Sequence, residues 1–135
     1  MFPKTTTTTI IALLAAAGLV SAAPTTHLAP RNSGDLTFYD PGMGACGISS
    51  GAGEMVVALN APQFDPATPN GNPNLNSLCG KRVRVTGPSG TTVDATIVDR
   101  CPGCAAGSLD LSPAAFQVLA PLDKGRVAGT WEYIS

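Results

Sequence analysis

Apolar and polar residues alternate with a two-residue period along much of the second half of the chain. Arg82 to Thr86 (RVRVT) places Val83 and Val85 on one face and Arg82 and Arg84 on the other, the mark of a half-buried strand. Pro88-Ser89-Gly90 then reads as a hairpin turn into Thr91 to Asp99 (TTVDATIVD). There Val93, Ala95 and Ile97 share a face, and Asp99 continues their row by parity. That parity predicts an acid at the mouth of a core. Leu36 to Tyr39, ending at the turn Asp40-Pro41-Gly42, Glu54 to Leu59 and Val127 to Ile134 are further strands; in the last, Trp131 and Tyr133 share a face and Trp131 is expected in the core. The period becomes helical at Ser112 to Leu119, with Ser112 as N-cap, Pro113 at N1 and Ala115, Phe116 and Leu119 as the apolar stripe. Asn60 caps a single turn over Ala-Pro-Gln-Phe. The glycine-rich GMGACGISSGAG and the Pro/Asn-rich residues 65–77 are loops. Many short strands with few helices predict a small barrel.

The first residues change the picture of where this barrel works. Lys4, the apolar run Ile10 to Val20 and the small residues around Ser21-Ala22 form a signal peptide over residues 1–22. The run is too short to span a bilayer, which needs about 20 apolar residues. A secreted protein without membrane attachment is expected. Residues 23–34 read as a disordered leader or short propeptide, with Arg31 a candidate processing site, and 35–135 as one domain.

The lone histidine, His27, falls in that leader. The domain therefore has no Ser-His-Asp or Cys-His catalysis and no histidine metal site. Without Lys4 and Arg31 the chain carries six basic against nine acidic residues, so nucleic acid is not an expected partner. No Asn-x-Ser/Thr triplet invites N-glycosylation. Lys81, Arg82 and Arg84 could meet acidic pectin, but a solvated strand face is the plainer account.

Four cysteines remain: Cys46, Cys79, Cys101 and Cys104. In an exported chain of this size an even count reads as staples. Three pairings are open, of which Cys46–Cys79 with Cys101–Cys104 is favoured. A four-thiolate zinc site would show two close pairs, and only one is close, so no metal is expected. Cys-Pro-Gly-Cys also suggests a thioredoxin-like redox pair. That chemistry wants its first cysteine at a helix N-terminus. Here the helix signal begins only at Ser112-Pro113, so the staple reading is preferred.

Read together, TFYDPGMGACG, VVALNAPQF, LCGKRVRVT, VDRCPGC with LDLSPAAF, and GRVAGTWEYI resemble, in that order, the RlpA-like double-psi β-barrel proteins. The nearest resemblance is to small fungal expansin-like or loosenin-like members, and it covers about Asp35 to Ser135. It implies an all-β fold, a six-stranded double-psi β-barrel with one or two short helices, and a cell-wall polysaccharide partner: cellulose, chitin or pectin. Barwin-like proteins, barrel endoglucanases and papain-inhibitor-like proteins are relatives in this resemblance. By it, Thr37 and Tyr39 match the Thr and Tyr of the expansin first-strand motif. Asp110 matches the aspartate of the expansin His-Phe-Asp motif, and Asp99 a second acid; together they would line an open groove. Two departures stand out: Ser108 replaces the motif histidine, and no second, carbohydrate-binding domain follows before Ser135.

Hydrolysis of a glycan needs two carboxyls flanking the bond, one of them kept protonated. Asp110, between Leu109 and Leu111, has a suitably apolar setting for a general acid. Asp40 and Asp99 are the candidate bases, and neither is secured. The expected substrate-binding set is thus Thr37, Tyr39, Asp40, Asp99 and Asp110, acting as a monomer without cofactor. The expected function is to bind and loosen wall polysaccharide without cutting it. Two alternatives remain: an inhibitor or effector that binds a papain-type protease, for which the long 65–77 loop is a candidate contact, and a glycoside hydrolase using Asp110.

Overall fold

The computed structural model describes Gly18 and residues 31–135. The expected signal peptide, apart from Gly18, and His27 lie outside the described residues. Six strands form: β1 Asn32–Phe38, β2 Val56–Asn60, β3 Arg82–Thr86, β4 Thr92–Cys101, β5 Leu109–Leu111 and β6 Arg126–Tyr133. They close into a barrel in the order β1-β5-β2-β4-β3-β6. β1 with β5 and β2 with β4 are parallel; the other neighbours are antiparallel. This is the six-stranded barrel that the resemblance implies.

Alternation sets the inside of the barrel. Leu36, Val57, Leu59, Val83, Val85, Val93, Ala95, Ile97, Leu109 and Leu111 point inward and pack into one core. Trp131 joins them at 1% exposure, and its indole N–H donates to the Gly107 carbonyl at 2.8 Å. A buried indole needs such an acceptor. β1 begins at Asn32, three residues ahead of the expected domain start, because Asn32 to Gly34 complete an antiparallel ladder with β6. Gly34 is required there: a Cβ on it would lie 2.5 Å from the Gly107 carbonyl carbon.

Two short helices close the gaps. Helix α1, Ala61–Phe64, starts at Asn60, whose side chain accepts from the Gln63 N–H at 3.0 Å. Helix α2, Pro113–Leu119, starts at Ser112, whose hydroxyl accepts from the Ala115 N–H at 3.3 Å. α2 buries Ala115, Phe116 and Leu119 against the sheet, and Phe116 meets Phe38 with ring centroids 5.0 Å apart. Residues 65–77 are built from three successive 3-10 turns. The two disulfides are Cys46–Cys79 and Cys101–Cys104, as favoured.

One irregularity matters for the site. Val57 pairs with Ile97, yet its neighbour Ala58 pairs with Asp99. The extra residue, Val98, makes a β-bulge, so Ile97 and Val98 are both buried and the alternation slips by one. Asp99 therefore shares a face with Ala58, opposite Val57 and Leu59. The expectation that it sits on the inward row is corrected: the bulge turns it to the barrel's outer wall.

Candidate functional site

Cross-strand pairing assembles the site. Thr37 of β1 is paired with Asp110 of β5, Asp110 with Ala58 of β2, and Ala58 with Asp99 of β4. Paired residues present their side chains on the same face. One row therefore runs Thr37, Asp110, Ala58, Asp99 across four adjacent strands. Its flanking positions, Leu36, Leu109, Leu111, Val57 and Leu59, anchor it by pointing into the core. Ala58 is only 2% exposed. Its methyl is the floor between the two acids, whose backbones stand two strand spacings, about 10 Å, apart.

Each acid has its own environment. The Thr37 hydroxyl donates to Asp110 Oδ1 at 2.9 Å. Asp110 is half-buried, and burial pushes its pKa above the ordinary carboxylate value. The Thr37 hydrogen bond opposes that rise, the Asp99 charge adds to it and Arg126 opposes it. Asp99 is committed to backbone: its Oδ1 accepts from the Ala45 N–H at 2.7 Å and from the Arg100 N–H at 2.8 Å. It thereby pins the loop after β1 to the bulge, where the Cys46 N–H also donates to the Val98 carbonyl at 3.2 Å. Gly44 packs so closely on Val98 and Asp99 that a Cβ there would strike the Val98 carbonyl oxygen.

Tyr39 follows β1, and its N–H donates to the Leu111 carbonyl at 2.9 Å. Its hydroxyl is buried and makes no well-formed hydrogen bond, although the Asp99 carboxylate is near enough to act on it. Burial first, and then the nearby Asp99 and Asp110, push its pKa upward, so it stays neutral and able to donate. The Cys101–Cys104 bridge closes one end of the site: both sulfurs and an Asp110 carboxylate oxygen lie within 4.8 Å of one another. These sulfurs are oxidised to a disulfide.

Thr37, Tyr39, Asp99 and Asp110 thus come together, while Asp40 lies exposed on the turn. Ala58, the Ala45 N–H and the Val98 bulge were not anticipated. An alanine between Val57 and Leu59 was the one available sign, a small side chain in an otherwise bulky strand. Chemically, the row offers one acid whose hold on its proton is strengthened by burial, one hydroxyl beside it and one neutral phenol. The second acid commits one oxygen, Oδ1, to holding backbone.

The surroundings differ from a sugar platform. Stacking against a glycan uses exposed aromatic faces, yet none of the six aromatic residues in 31–135 is exposed. Phe64, Phe116 and Trp131 are core, and Phe38 and Tyr133 pack against it. The exposed large apolar side chains are instead aliphatic or thioether. Met43, 72% exposed, and Ile48, 42% exposed, stand on the loop that Asp99 pins, with Met55 close in sequence. A bridge between Met43 and Ser49 holds the loop's shape. Apart from this site, an open cleft of about 420 Å³ is lined by Asp65, Thr68, Gly71, Pro73 and Arg100. The Arg100 guanidinium grips the Asp65 carboxylate with both its Nε and Nη2, at 2.6 and 2.9 Å. Among the described residues, no helix is long and apolar enough to cross a membrane.

Comparison with known proteins agrees with this architecture. A double-psi β-barrel family model described as "Lytic transglycolase" matches residues 32–131. The papain inhibitor of Streptomyces mobaraensis is 42% identical over 108 residues, spanning 77% of this chain and 72% of that protein. The solved Streptomyces papain inhibitor superposes with a TM-score of 0.70 at 38% identity, covering 78% of this chain and 96% of that one. A point mutant of Clavibacter michiganensis expansin, solved in complex with cellohexaose, gives a TM-score of 0.65 at 29% identity. That match covers 78% of this chain but about half, 51%, of the expansin.

Proposed function

The chain belongs to the double-psi β-barrel family of the matching model, and on that premise we propose that it is a secreted, non-catalytic binding protein whose partner is a papain-type cysteine protease. The observation that carries this reading is the surface beside the site. A loop fixed by a disulfide, an Asp99 anchor and a bridge displays Met43 and Ile48, while no aromatic platform is exposed among the described residues. Methionine is enriched in protein–protein interface cores. A loop already rigid before binding loses little entropy on docking. The likeness to the Streptomyces papain inhibitor, which spans nearly the whole of that solved chain, supports the same partner. Export is supported by the amino-terminal signal pattern and by two disulfides, which persist in oxidising compartments.

The acids support binding without cleavage. Asp99 spends its Oδ1 on two backbone amides, and its backbone is two strands away from that of Asp110. A second reading, polysaccharide binding, draws on the Thr37–Asp110 pair and on the expansin solved with cellohexaose. One experiment separates the two. Papain activity on a small peptide substrate is titrated with the wild-type chain and with Met43→Asp. Retention on cellulose, chitin and pectin is measured alongside, with an assay for new reducing ends. Stoichiometric inhibition, weakened at least about tenfold (about 1.4 kcal/mol) by Met43→Asp, supports the protease reading. Retention on a glycan with no effect on papain sinks it in favour of the second. New reducing ends that vanish in Asp110→Asn would overturn the non-catalytic claim itself.

A further inference from the structure

We infer that the Cys101–Cys104 disulfide is a thiol-exchange site, with an incoming thiolate as its substrate and Asp110 as proton donor to the departing sulfur. The two bridges of this barrel are built for different work. Cys46–Cys79 joins positions 33 residues apart, and Cys46 is 8% exposed within the core cluster. Cys101–Cys104 spans a separation of 3 across the exposed Pro102 and Gly103, and both of its cysteines are partly accessible. A bridge this local removes little loop entropy from the unfolded chain, so folding alone gives it a small task. Cys101 is the last residue of β4 and is held by its ladder with Asn60, whereas Cys104 lies in the turn beyond. Asp110 lies beside both sulfurs, and its one side-chain hydrogen bond among the described residues is from the Thr37 hydroxyl.

The step balances without any outside oxidant. A thiolate attacks Cys104 Sγ and forms a new sulfur–sulfur bond. The Cys101–Cys104 bond breaks, its electron pair goes to Cys101 Sγ, and the Asp110 carboxyl proton neutralises that thiolate. The protein's own disulfide is the species reduced, and the product is one mixed disulfide and one thiol. Protonated Cys101 is a poor nucleophile, so the reverse closure is slowed. The N-cap of helix α1, Asn60, is the ladder partner of Cys101, but a single turn of four residues offers a thiolate little dipole stabilisation, which is why a neighbouring acid matters here.

The groups facing Asp110 set its working range. Burial and Asp99 on β4 favour its proton; Thr37 on β1 and Arg126 on β6 oppose it; Tyr39 remains neutral throughout. The donor form therefore persists to a higher pH than in an unburied aspartate. An attacking thiol must be ionised in the same mildly acidic range, which selects low-pKa thiolates. The catalytic cysteine of a papain-type protease, with a pKa of about 3–4, is of that class, whereas an ordinary thiol near 8.5 is not. The exchange chemistry stands apart from the inhibitor reading; only its protease arm rests on it.

The test uses the full chain, oxidised. It is incubated at pH 5 and pH 8 with glutathione, and separately with activated papain freed of reductant, then quenched by alkylation and read by intact mass and peptide mapping. The expected result is a mixed disulfide at Cys101/Cys104 at least about tenfold faster than any opening of Cys46–Cys79. Asp110→Asn should slow it about fivefold or more at pH 5 and little at pH 8. A thermal melt and the Cys46–Cys79 rate show whether that variant has loosened the fold. A papain adduct, with or without a glutathione adduct at pH 8, supports the site; a glutathione adduct at pH 5 with none to papain, or no adduct to either thiol, overturns it. Opening of both bridges together, or an Asp110→Asn rate equal to wild type at both pH values, overturns the inference. Papain inhibited with no adduct to either thiol also overturns it, while the inhibitor reading survives.

Discussion

Asp110 is a carboxylic acid kept where water is scarce, and this has a signed consequence for stability. Its native pKa is raised by burial, so above the ordinary carboxylate value of about 4 the folded chain holds a proton that the unfolded chain has released. Its contribution is fully present below the unfolded pKa and is lost as pH rises through the native one. Asp110→Asn has no such proton to lose. Urea midpoints taken from pH 4 upward should therefore fall more steeply for wild type than for Asp110→Asn, and the two curves should converge at low pH. Parallel curves would mean that the carboxyl is solvated in the native state. Asp110 and Thr37 were legible in the sequence because LDLS and TFY are local motifs, and the 1:1 register of β1 with β5 delivers them to each other. Asp99 was legible as a site residue but not in its direction, since parity holds only while a ladder is regular. Val98 breaks that ladder, and nothing in TIVDR marks which residue bulges.

At the scale of elements, the loop from Asp40 to Glu54 has almost no regular structure of its own. It keeps its shape partly through its own backbone bonds, Gly44 N–H to the Ile48 carbonyl and Ser50 N–H to the Gly42 carbonyl, and partly through contacts to other elements: Ala45 and Cys46 to the β4 bulge, and the bridge from Cys46 to Cys79. Its glycine richness was visible, and for Gly44 the reason is now physical, since any side chain there meets the Val98 carbonyl. What alternation could not show is that such a loop is held at one carboxylate. Asp99→Ala removes an acceptor shared by two amides and should cost about 1.5–3 kcal/mol, the range for a hydrogen bond to a charged group. The loss should be accompanied by faster amide hydrogen exchange at Ala45, with β3 and β6 unaffected. In a papain titration the same variant should weaken inhibition, because Met43 and Ile48 would then have to be ordered on binding. A variant that loses stability uniformly across the barrel would contradict this local role. The short helices, by contrast, were readable almost to the residue. Capping by Asn60 and Ser112 is a contact within three residues, and so is written in adjacent letters.

For the whole molecule, nearly every pairing that closes the barrel is distant in sequence: β1 lies between β5 and β6, and β2 between β5 and β4. Period-two patterning identifies strands and their inner faces but carries no information about which strand neighbours which. The strand order was reachable only through the ordered set of motifs shared with a family. Small barrels of this kind bury a modest core, so covalent closure carries weight. The two bridges divide that weight unequally. In the chain-entropy account, closing a 33-residue separation is worth about 3–4 kcal/mol. By the same relation, closing a separation of 3 is worth about 2 kcal/mol at most. Replacing Cys46 and Cys79 together by Ala should therefore lower the denaturation midpoint more than replacing Cys101 and Cys104, by about 1–2 kcal/mol of stability, and should also free the Met43 loop from one of its anchors. The second pair of substitutions should leave a folded barrel that no longer exchanges thiols. Equal losses from the two double variants would show that the short bridge holds the β4 end and the Asp110 wall together, making it a structural part of the barrel as much as the long one.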